Sequence, residues 1–437
     1  MEITKFYINV ALPEGQQLLY NTLTTAMILL DNSVFEKIFV QHNFSDVKEV
    51  EMLREHGFIV ESNQETLDLL KSLRCKDSSN TMQDVGIVTT TDCNARCYYC
   101  FENGVKRYDM STKTADDSIS FLQKFCPDKH LRLFWFGGEP LINFAIIRHI
   151  TNSLLNANYI LDTNIITNGS LLTQEHIDFF ISHYNSITFQ ITIDNIFDKY
   201  QSVKKYIDID KEHAFDRTIN NIKLLLRNGV QVKIRVNFKA SEYEDGEKVF
   251  HALEQLFDKE DTSKLLIYLA PLSLYGNHEI ISSFICQEGH PYLKLLKTHL
   301  KSAIKSNIIN QNNFEDTLLS TLDLKPKCSF CGIGGERRIT IDANGDLYKC
   351  HRLVGREEFK VGSVEKGIIN TNKVYKFIKD TEIRDQECLD CPILPICQGG
   401  CKGNKLLYGT SHKCHNIKQV KSDVVKLYYE TYMTYCE

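Results

Sequence analysis

The chain has 437 residues, which calls for two or three domains rather than one. Hydrophobic residues make up 43% and charged residues 24%, an ordinary globular balance, and the net charge of −5 is spread without the basic tail or patch that nucleic acid would require. There is no run of about 18 apolar residues and no signal-peptide pattern at Met1-Glu-Ile-Thr-Lys-Phe-Tyr7, so no membrane contact is expected and the protein is placed in the cytoplasm.

In chain order, Ile3–Ala11 and Gln17–Thr25 flank a turn at Pro13-Glu14-Gly15 and read as a β-hairpin. Met27–Phe39 has helical spacing. Lys48–His56 reads as a second helix with Gly57 as its C-cap. Phe58–Glu61 is a short strand and Thr66–Leu73 a third helical piece. Residues 1–80 are thus expected to form a small α+β domain.

From Val85 onward strands and helices alternate. The strands are Val85–Thr91, Leu131–Phe136, Ile160–Thr167, Ile187–Asp194, Gln231–Asn237 and Leu265–Leu269. The helices are a Ser111-capped segment ending at Phe125, then Leu141–Asn156, Thr173–Ser182, Phe215–Asn228, Glu244–Asp258 and Tyr292–Lys305. Such alternation implies an α/β fold with parallel strands and right-handed crossovers. Six units suit an open, partial (β/α)6 TIM-like barrel, with chemistry at the C-terminal ends of the strands. The domains are expected at 1–80, 81–310 and 311–437.

The chemistry-bearing residues fall at those strand ends. Fifteen cysteines in a large cytosolic chain point to metal or catalysis rather than disulfides. Three follow the first strand as Cys93-x3-Cys97-x2-Cys100. A cubane [4Fe–4S] cluster takes four ligands, so this triplet fills three irons and leaves the fourth open. A zinc site is the competing reading. Gly137-Gly138-Glu139-Pro140 follows strand two, where two glycines let the backbone approach a ligand. Asn168 follows strand three. Thr192 and Asp194, ending strand four, share one face, as do Arg235 and Asn237 on strand five. Strand-end capping and a polar pair inside the barrel are the plain alternatives for these. Arg217 is a further basic residue near a helix start.

Eight more cysteines occupy the C-terminal part: Cys328, Cys331, Cys350, Cys388, Cys391, Cys397, Cys401 and Cys414. Arg338–Cys350 reads as a hairpin with a type I′ turn at Asn344-Gly345 that presents Cys350. A zinc ribbon wants two Cys-x2-Cys knuckles closer together than Cys331 and Cys388. Residues 415–437 have the spacing of a helix closing over this segment. Cys75, Cys126, Cys286 and Cys436 remain, as buried small residues or incidental thiols.

These motifs, across residues 85–414, resemble the radical S-adenosylmethionine (SAM) superfamily, and the second cysteine group resembles its C-terminal SPASM domain. The resemblance implies that SAM chelates the open iron of the cluster on Cys93, Cys97 and Cys100. It implies SAM contacts by Gly137, Gly138, Glu139 and Pro140 (methionine amine), Thr192 (ribose), and Asn168 and Arg235. Thr192 stands where Ser is commoner in the family, and Asn195 where Gly is usual. By the family's pattern, Cys328, Cys331, Cys350 and Cys401 hold one auxiliary [4Fe–4S] cluster. Cys388, Cys391, Cys397 and Cys414 hold a second, making three clusters in all. In some relatives the first auxiliary cluster keeps an open iron, which would leave Cys328 or Cys331 unligated.

The implied activity is reductive SAM cleavage to a 5′-deoxyadenosyl radical that abstracts hydrogen from an unactivated C–H bond. The first domain resembles winged-helix-like leader-recognition domains in layout, with a structural extension packed on the catalytic domain as the plain alternative, and Cys97-Tyr-Tyr-Cys100-Phe-Glu102 resembles maturases of ribosomally made peptides. The expectation is a peptide maturase forming an intramolecular thioether or carbon–carbon cross-link, with a precursor peptide and a flavodoxin or ferredoxin as partners. The runner-up is an anaerobic sulfatase-maturing enzyme, which needs an Asp base for which Asp194 and Asp109 are only nominal candidates. A zinc-binding adaptor is the non-enzymatic alternative.

Overall fold

The computed structural model describes the chain except residues 77–82, 101, 103–105, 208–212, 239–242, 258–261, 272–290, 306–308, 328–337, 381–382, 409–416 and 437. The chain starts with β1 (Glu2–Ile3), β2 (Tyr7–Leu12) and β3 (Gln16–Asn21). β2 and β3 form the expected hairpin, turning where Glu14 and Gly15 take φ of 65° and 74°. Met27–Phe39 is not one helix. Met27–Asp31 is a third strand, β4, antiparallel to β3, and helix begins only with α1 (Asn32–Phe35), which runs into a wider helical turn at Glu36–Val40. Ladder pairing of Leu18 with Leu29 and Leu19 with Ile28 overrides the helical spacing of a short apolar run. α2 (Val47–Glu55) ends at Gly57, whose φ is 77°, and β5 (Ile59–Val60) pairs with β1 before α3 (Asn63–Lys76).

The next strands are β6 (Asp84–Val88), β7 (His130–Phe136), β8 (Ile160–Thr167), β9 (Ser186–Thr192), β10 (Gln231–Phe238) and β11 (Leu265–Pro271). They lie parallel, each beside its successor. The helices between them are α4 (Thr112–Phe125), α5 (Phe144–Asn156), α6 (Gln174–His183), α7 (Phe197–Lys204), α8 (Ala214–Arg227) and α9 (Tyr243–Leu256). Ser111 caps α4, its Oγ accepting from the Thr114 N–H at 3.1 Å. The sequence did not disclose α7. It has no side-chain N-cap bond, and Lys205 ends it in a left-handed conformation, φ 50°.

α10 (Pro291–Lys305) packs on β11, where the half-buried His299 Nε2 accepts from the Leu269 N–H at 2.9 Å. Burial pushes this imidazole down to about 4. Between the ordinary value and that one, the folded protein binds fewer protons at this ring than the unfolded chain does. Stability is therefore expected to fall as the pH drops from 6.5 toward 4, by roughly 3 kcal/mol at the bottom of the window. Denaturant titrations across that range should show the slope, and His299→Gln should flatten it.

After α11 (Phe314–Thr321) come β12 (Arg338–Ile341), β13 (Asp346–Tyr348), β14 (Lys360–Ser363) and β15 (Ile368–Ile369). They extend the main sheet: β12 lies parallel to β6, and the rest continue antiparallel. The β12–β13 turn is not the two-residue type I′ form. Asp342 and Asp346 close a three-residue loop, Asp342 N–H to Asp346 O at 2.9 Å, with Gly345 left-handed at φ 85°. The Asp342 carboxylate accepts from the Asn344 and Asp346 N–H groups, which favours the wider loop.

The last elements are α12 (Thr371–Asp380), α13 (Gln386–Leu389), α14 (Leu394–Cys397), α15 (Lys402–Tyr408) and α16 (Ile417–Cys436). Helix α16 does not simply close over the cysteine segment. Val420, Val424, Val425 and Tyr428 share one core with Ile8, Val10, Leu18 and Tyr20 of the first hairpin, as well as with Ile393 and Ile396. The Tyr20 and Tyr428 rings lie 5.9 Å apart, and the Tyr20 hydroxyl donates to Leu324 O at 3.1 Å. The N-terminal unit is thus fastened to the C-terminal one. Among the described residues, no helix is long and apolar enough to cross a membrane.

Candidate functional site

The loop after β6 is tied to its surroundings before it reaches the first cysteine. Thr90 Oγ1 donates to Asp109 at 2.5 Å, and Thr91 bonds the main chain of Lys106 and Tyr108. Arg96 then holds the loop's curvature: its guanidinium donates to the carbonyls of Cys93 and Ala95, and it also pairs with Asp92. The Cys93 sulfur accepts from the Ala95 N–H at 3.3 Å and from Asn168 Nδ2 at 3.9 Å. Burial, then the charge of Glu139, pushes the free Cys93 thiol up to about 12. Cys97 lies 3.8 Å from the Lys204 carbonyl oxygen, and Cys100 is exposed. Three thiols on one loop, one already receiving N–H donors as an iron-bound thiolate does, fit an iron–sulfur group. Among the described residues, no three Cys, His, Asp or Glu side chains converge closely enough to hold a single metal ion.

The glycine loop lies directly against this one. The Gly138 N–H donates to Thr90 O at 3.1 Å and the Glu139 N–H to Asp92 O at 2.8 Å. A Cβ on Gly138 would sit 1.9 Å from Asp92 O, and one on Gly137, whose φ is 135°, 2.3 Å from Thr90 O. Only glycine permits this approach. Glu139 is fully buried, and its carboxylate accepts from Thr167 Oγ1 at 2.7 Å, Asn168 N–H at 2.8 Å and Leu141 N–H at 3.2 Å. Burial raises its proton affinity against these three donors. The Glu139 side chain is therefore a brace from the β7 end to the β8 end. Pro140 is buried beside it, its carbonyl accepting from Thr89 Oγ1. Asn168 is likewise engaged, bonding Asn94 at 2.8 Å and Ser170 at 2.6 Å.

A network that the sequence did not disclose underlies the loop. Lys204, at the end of α7, pairs with Asp194 at 2.8 Å, and both side chains are 3% exposed. The same carboxylate accepts from the Tyr99 hydroxyl at 2.6 Å and, at its other oxygen, from Asn237 Nδ2 at 2.8 Å. Asn237 Oδ1 in turn accepts from Arg235 Nε at 2.8 Å. Burial alone would lower the Lys204 ammonium, but Asp194, followed by Tyr99, carries it well above its ordinary range. No local signal joins Lys204 to the triplet. Only folding brings α7 under residues 96–99.

Thr192, Arg235 and Tyr268 stand side by side in register across β9, β10 and β11. The Thr192 hydroxyl has no protein partner among the described residues, and Tyr268 donates to Gln190 at 3.0 Å. On the far side, His351 packs edge-on against Phe136, and burial with the charges of Arg338, Arg352 and Arg235 pushes it down to about 4.

Cys350 is buried, and Cys388, Cys391, Cys397 and Cys401 are partly so. A Cβ on Gly403 would begin 3.3 Å from the Cys350 sulfur and 3.8 Å from that of Cys401, so these two thiols flank one glycine. Gln398, Gly399 and Gly400, all at positive φ, turn the chain between Cys397 and Cys401. Cys328, Cys331 and Cys414 lie outside the described residues. Cys126, expected to be a buried small residue or an incidental thiol, is buried after α4.

Residues 87–250 match the model of the Radical SAM superfamily. The chain is 25% identical, over 72% of its own length and 86% of the relative's, to a cysteine-type anaerobic sulfatase-maturating enzyme of Clostridium novyi. It is 22% identical, over 85% of its length and 76% of the relative's, to the radical SAM cyclopropyl synthase TigE of Paramaledivibacter caminithermalis. Among solved structures, Streptococcus suis SuiB bound to its precursor peptide SuiA shares the fold at a TM-score of 0.53 and 17% identity, over 94% of this chain and 97% of that one.

Proposed function

We propose, starting from a chain that carries a radical SAM domain, that this protein is a peptide maturase whose domain holds its [4Fe–4S] cluster on Cys93, Cys97 and Cys100. When bound, the cluster and SAM supply a 5′-deoxyadenosyl radical that takes a hydrogen atom from a precursor peptide, leading to an intramolecular thioether or carbon–carbon cross-link. The observation that carries the assignment is the contact of Gly138 and Glu139 with Thr90 and Asp92, which fixes the glycine loop on the cysteine loop. Because the N–H groups of Gly138 and Glu139 are committed there, an amine at this loop would meet carbonyl oxygens, the acceptors an ammonium needs. Thr192 is positioned to meet a ribose hydroxyl. The side chains of Glu139 and Asn168 act by holding the loops rather than by touching SAM.

Two further [4Fe–4S] clusters are assigned to Cys328, Cys331, Cys350 and Cys401, and to Cys388, Cys391, Cys397 and Cys414. The shared flank of Cys350 and Cys401 supports their pairing in one site. The residues before β6 are assigned to leader recognition as a winged-helix-like unit within a partial-barrel enzyme.

The second reading is sulfatase maturation, oxidising Cys or Ser to formylglycine, and the likeness to the Clostridium novyi enzyme favours it. Against it, neither nominal base is available: Asp194 is committed to Lys204, Tyr99 and Asn237, and Asp109 to Thr90.

Anaerobic reconstitution followed by mass spectrometry of a neighbouring-gene precursor peptide separates the readings. Loss of two hydrogens with sulfur retained supports the cross-link. A cysteine-to-aldehyde change supports sulfatase maturation. Zinc without labile sulfide, or no SAM cleavage, defeats both. Deleting residues 1–80 would strip the core from α16, so leader recognition is better tested on exposed residues of that unit. Leu29→Glu with Val47→Glu is expected to weaken peptide binding at least roughly fivefold while leaving peptide-free SAM cleavage unchanged.

A further inference from the structure

We propose that Lys204 is a positioning residue whose buried ammonium ties the cysteine loop to the end of β9 and sets a fixed positive charge beside the cluster that loop would hold, making that cluster easier to reduce. The inference rests on the assignment of Cys93, Cys97 and Cys100 as ligands.

Lys204 meets the loop twice. Its carbonyl oxygen accepts from the Arg96 N–H at 2.8 Å, next to the Cys97 sulfur. Its ammonium lies 3.4 Å from the Tyr99 hydroxyl, between Cys97 and Cys100, and 5.9 Å from the centre of the Tyr200 ring. Tyr200 is itself fixed by Tyr206 at 2.9 Å, so the floor under the ammonium is rigid. A buried ion pair of this kind adds little net stability over apolar side chains of the same volume, so stability alone gives no reason for it here.

The Asp194 charge is shared among three donors. Its carboxylate accepts from Lys204, Tyr99 and Asn237, with the Arg235 guanidinium bonded to Asn237 beyond, while the Lys204 ammonium also faces Tyr99 of the loop. A cluster gains negative charge on reduction, and its potential follows the charges and donors around it. A positive charge held under the loop in a water-poor site favours the reduced form.

The test uses the full chain, reconstituted without oxygen, with the cluster identified as the paramagnetic signal that changes when SAM is added. Its midpoint potential is measured together with iron content. Lys204→Met is expected to lower the potential and to slow SAM cleavage by about tenfold at limiting reductant. Asp194→Asn is expected to raise the potential, and the double variant to return close to the original value. A merely structural pair would not give shifts of opposite sign. Shifts in the same direction, or no shift at normal iron content, overturn the proposal. If Lys204→Met fails to load iron, Lys204→Arg must load it and keep the original potential, and its failure to do so also overturns the proposal. A wild-type protein without any SAM-sensitive signal defeats the ligand assignment instead.

Discussion

Alanine in place of Cys93, Cys97 and Cys100 together is expected to abolish SAM cleavage, by more than roughly a thousandfold, and to remove roughly four of about twelve irons per chain. The protein should remain folded, because the loop is held by main-chain and Arg96 contacts rather than by its thiols. The remaining iron would then belong to the eight C-terminal cysteines. Iron and sulfide analysis with a SAM-cleavage assay checks both numbers. Cys126→Ala is the control, since that thiol is buried after α4 and should change neither. Retained cleavage, or unchanged iron, would remove these three residues from the site.

Gly138→Ala is expected to destroy the proposed SAM site without touching any of the proposed cysteine ligands. Its methyl would start 1.9 Å from Asp92 O, a main-chain atom that moves only if the cysteine loop moves. Overpacking against a fixed main chain costs about 3 kcal/mol or more, and the two loop-to-loop hydrogen bonds through Gly138 and Glu139 are lost with it. SAM affinity should fall at least about a hundredfold, read by equilibrium binding to the reconstituted protein. Gly229→Ala offers the comparison. There φ is 72° but nothing lies within 4 Å, so only the backbone penalty of about 1 kcal/mol is expected and SAM binding should be unchanged. Equal behaviour of the two variants would show that the approach of the loops is not what forms the site.

Strands whose apolar residues alternate announce themselves in sequence, and so do helices with good caps. Leu131–Phe136 and Ile160–Thr167 were legible for the first reason, and the Ser111-capped α4 for the second. The triplet and the glycine loop were legible because their chemistry lies in consecutive residues. What escaped depends on distant partners. Met27–Asp31 has helical spacing in isolation and becomes a strand only because β3 offers an edge. Asn344-Gly345 suggests a two-residue turn until the Asp342 carboxylate captures two N–H groups. Lys204 looks like a surface residue on a polar segment, and no local pattern joins it to Asp194 or to the distant Tyr99 above it. Glu139 was legible as part of a motif, but its role as a brace required knowing that Thr167 and Asn168 end the neighbouring strand.

The parallel seam between β12 and β6 has a consequence for how the molecule is made. Arg338–Ile341 pairs with Asp84–Ile87, so the strand that launches the cysteine loop keeps one unpaired edge until nearly the whole polypeptide has left the ribosome. Closing so large a loop is entropically slow, and the nascent chain must wait with that edge open. Chains truncated before residue 338 should therefore pair wrongly or aggregate through β6. Iron delivered during synthesis to the cluster proposed on Cys93, Cys97 and Cys100 would arrive while that flank is still uncovered.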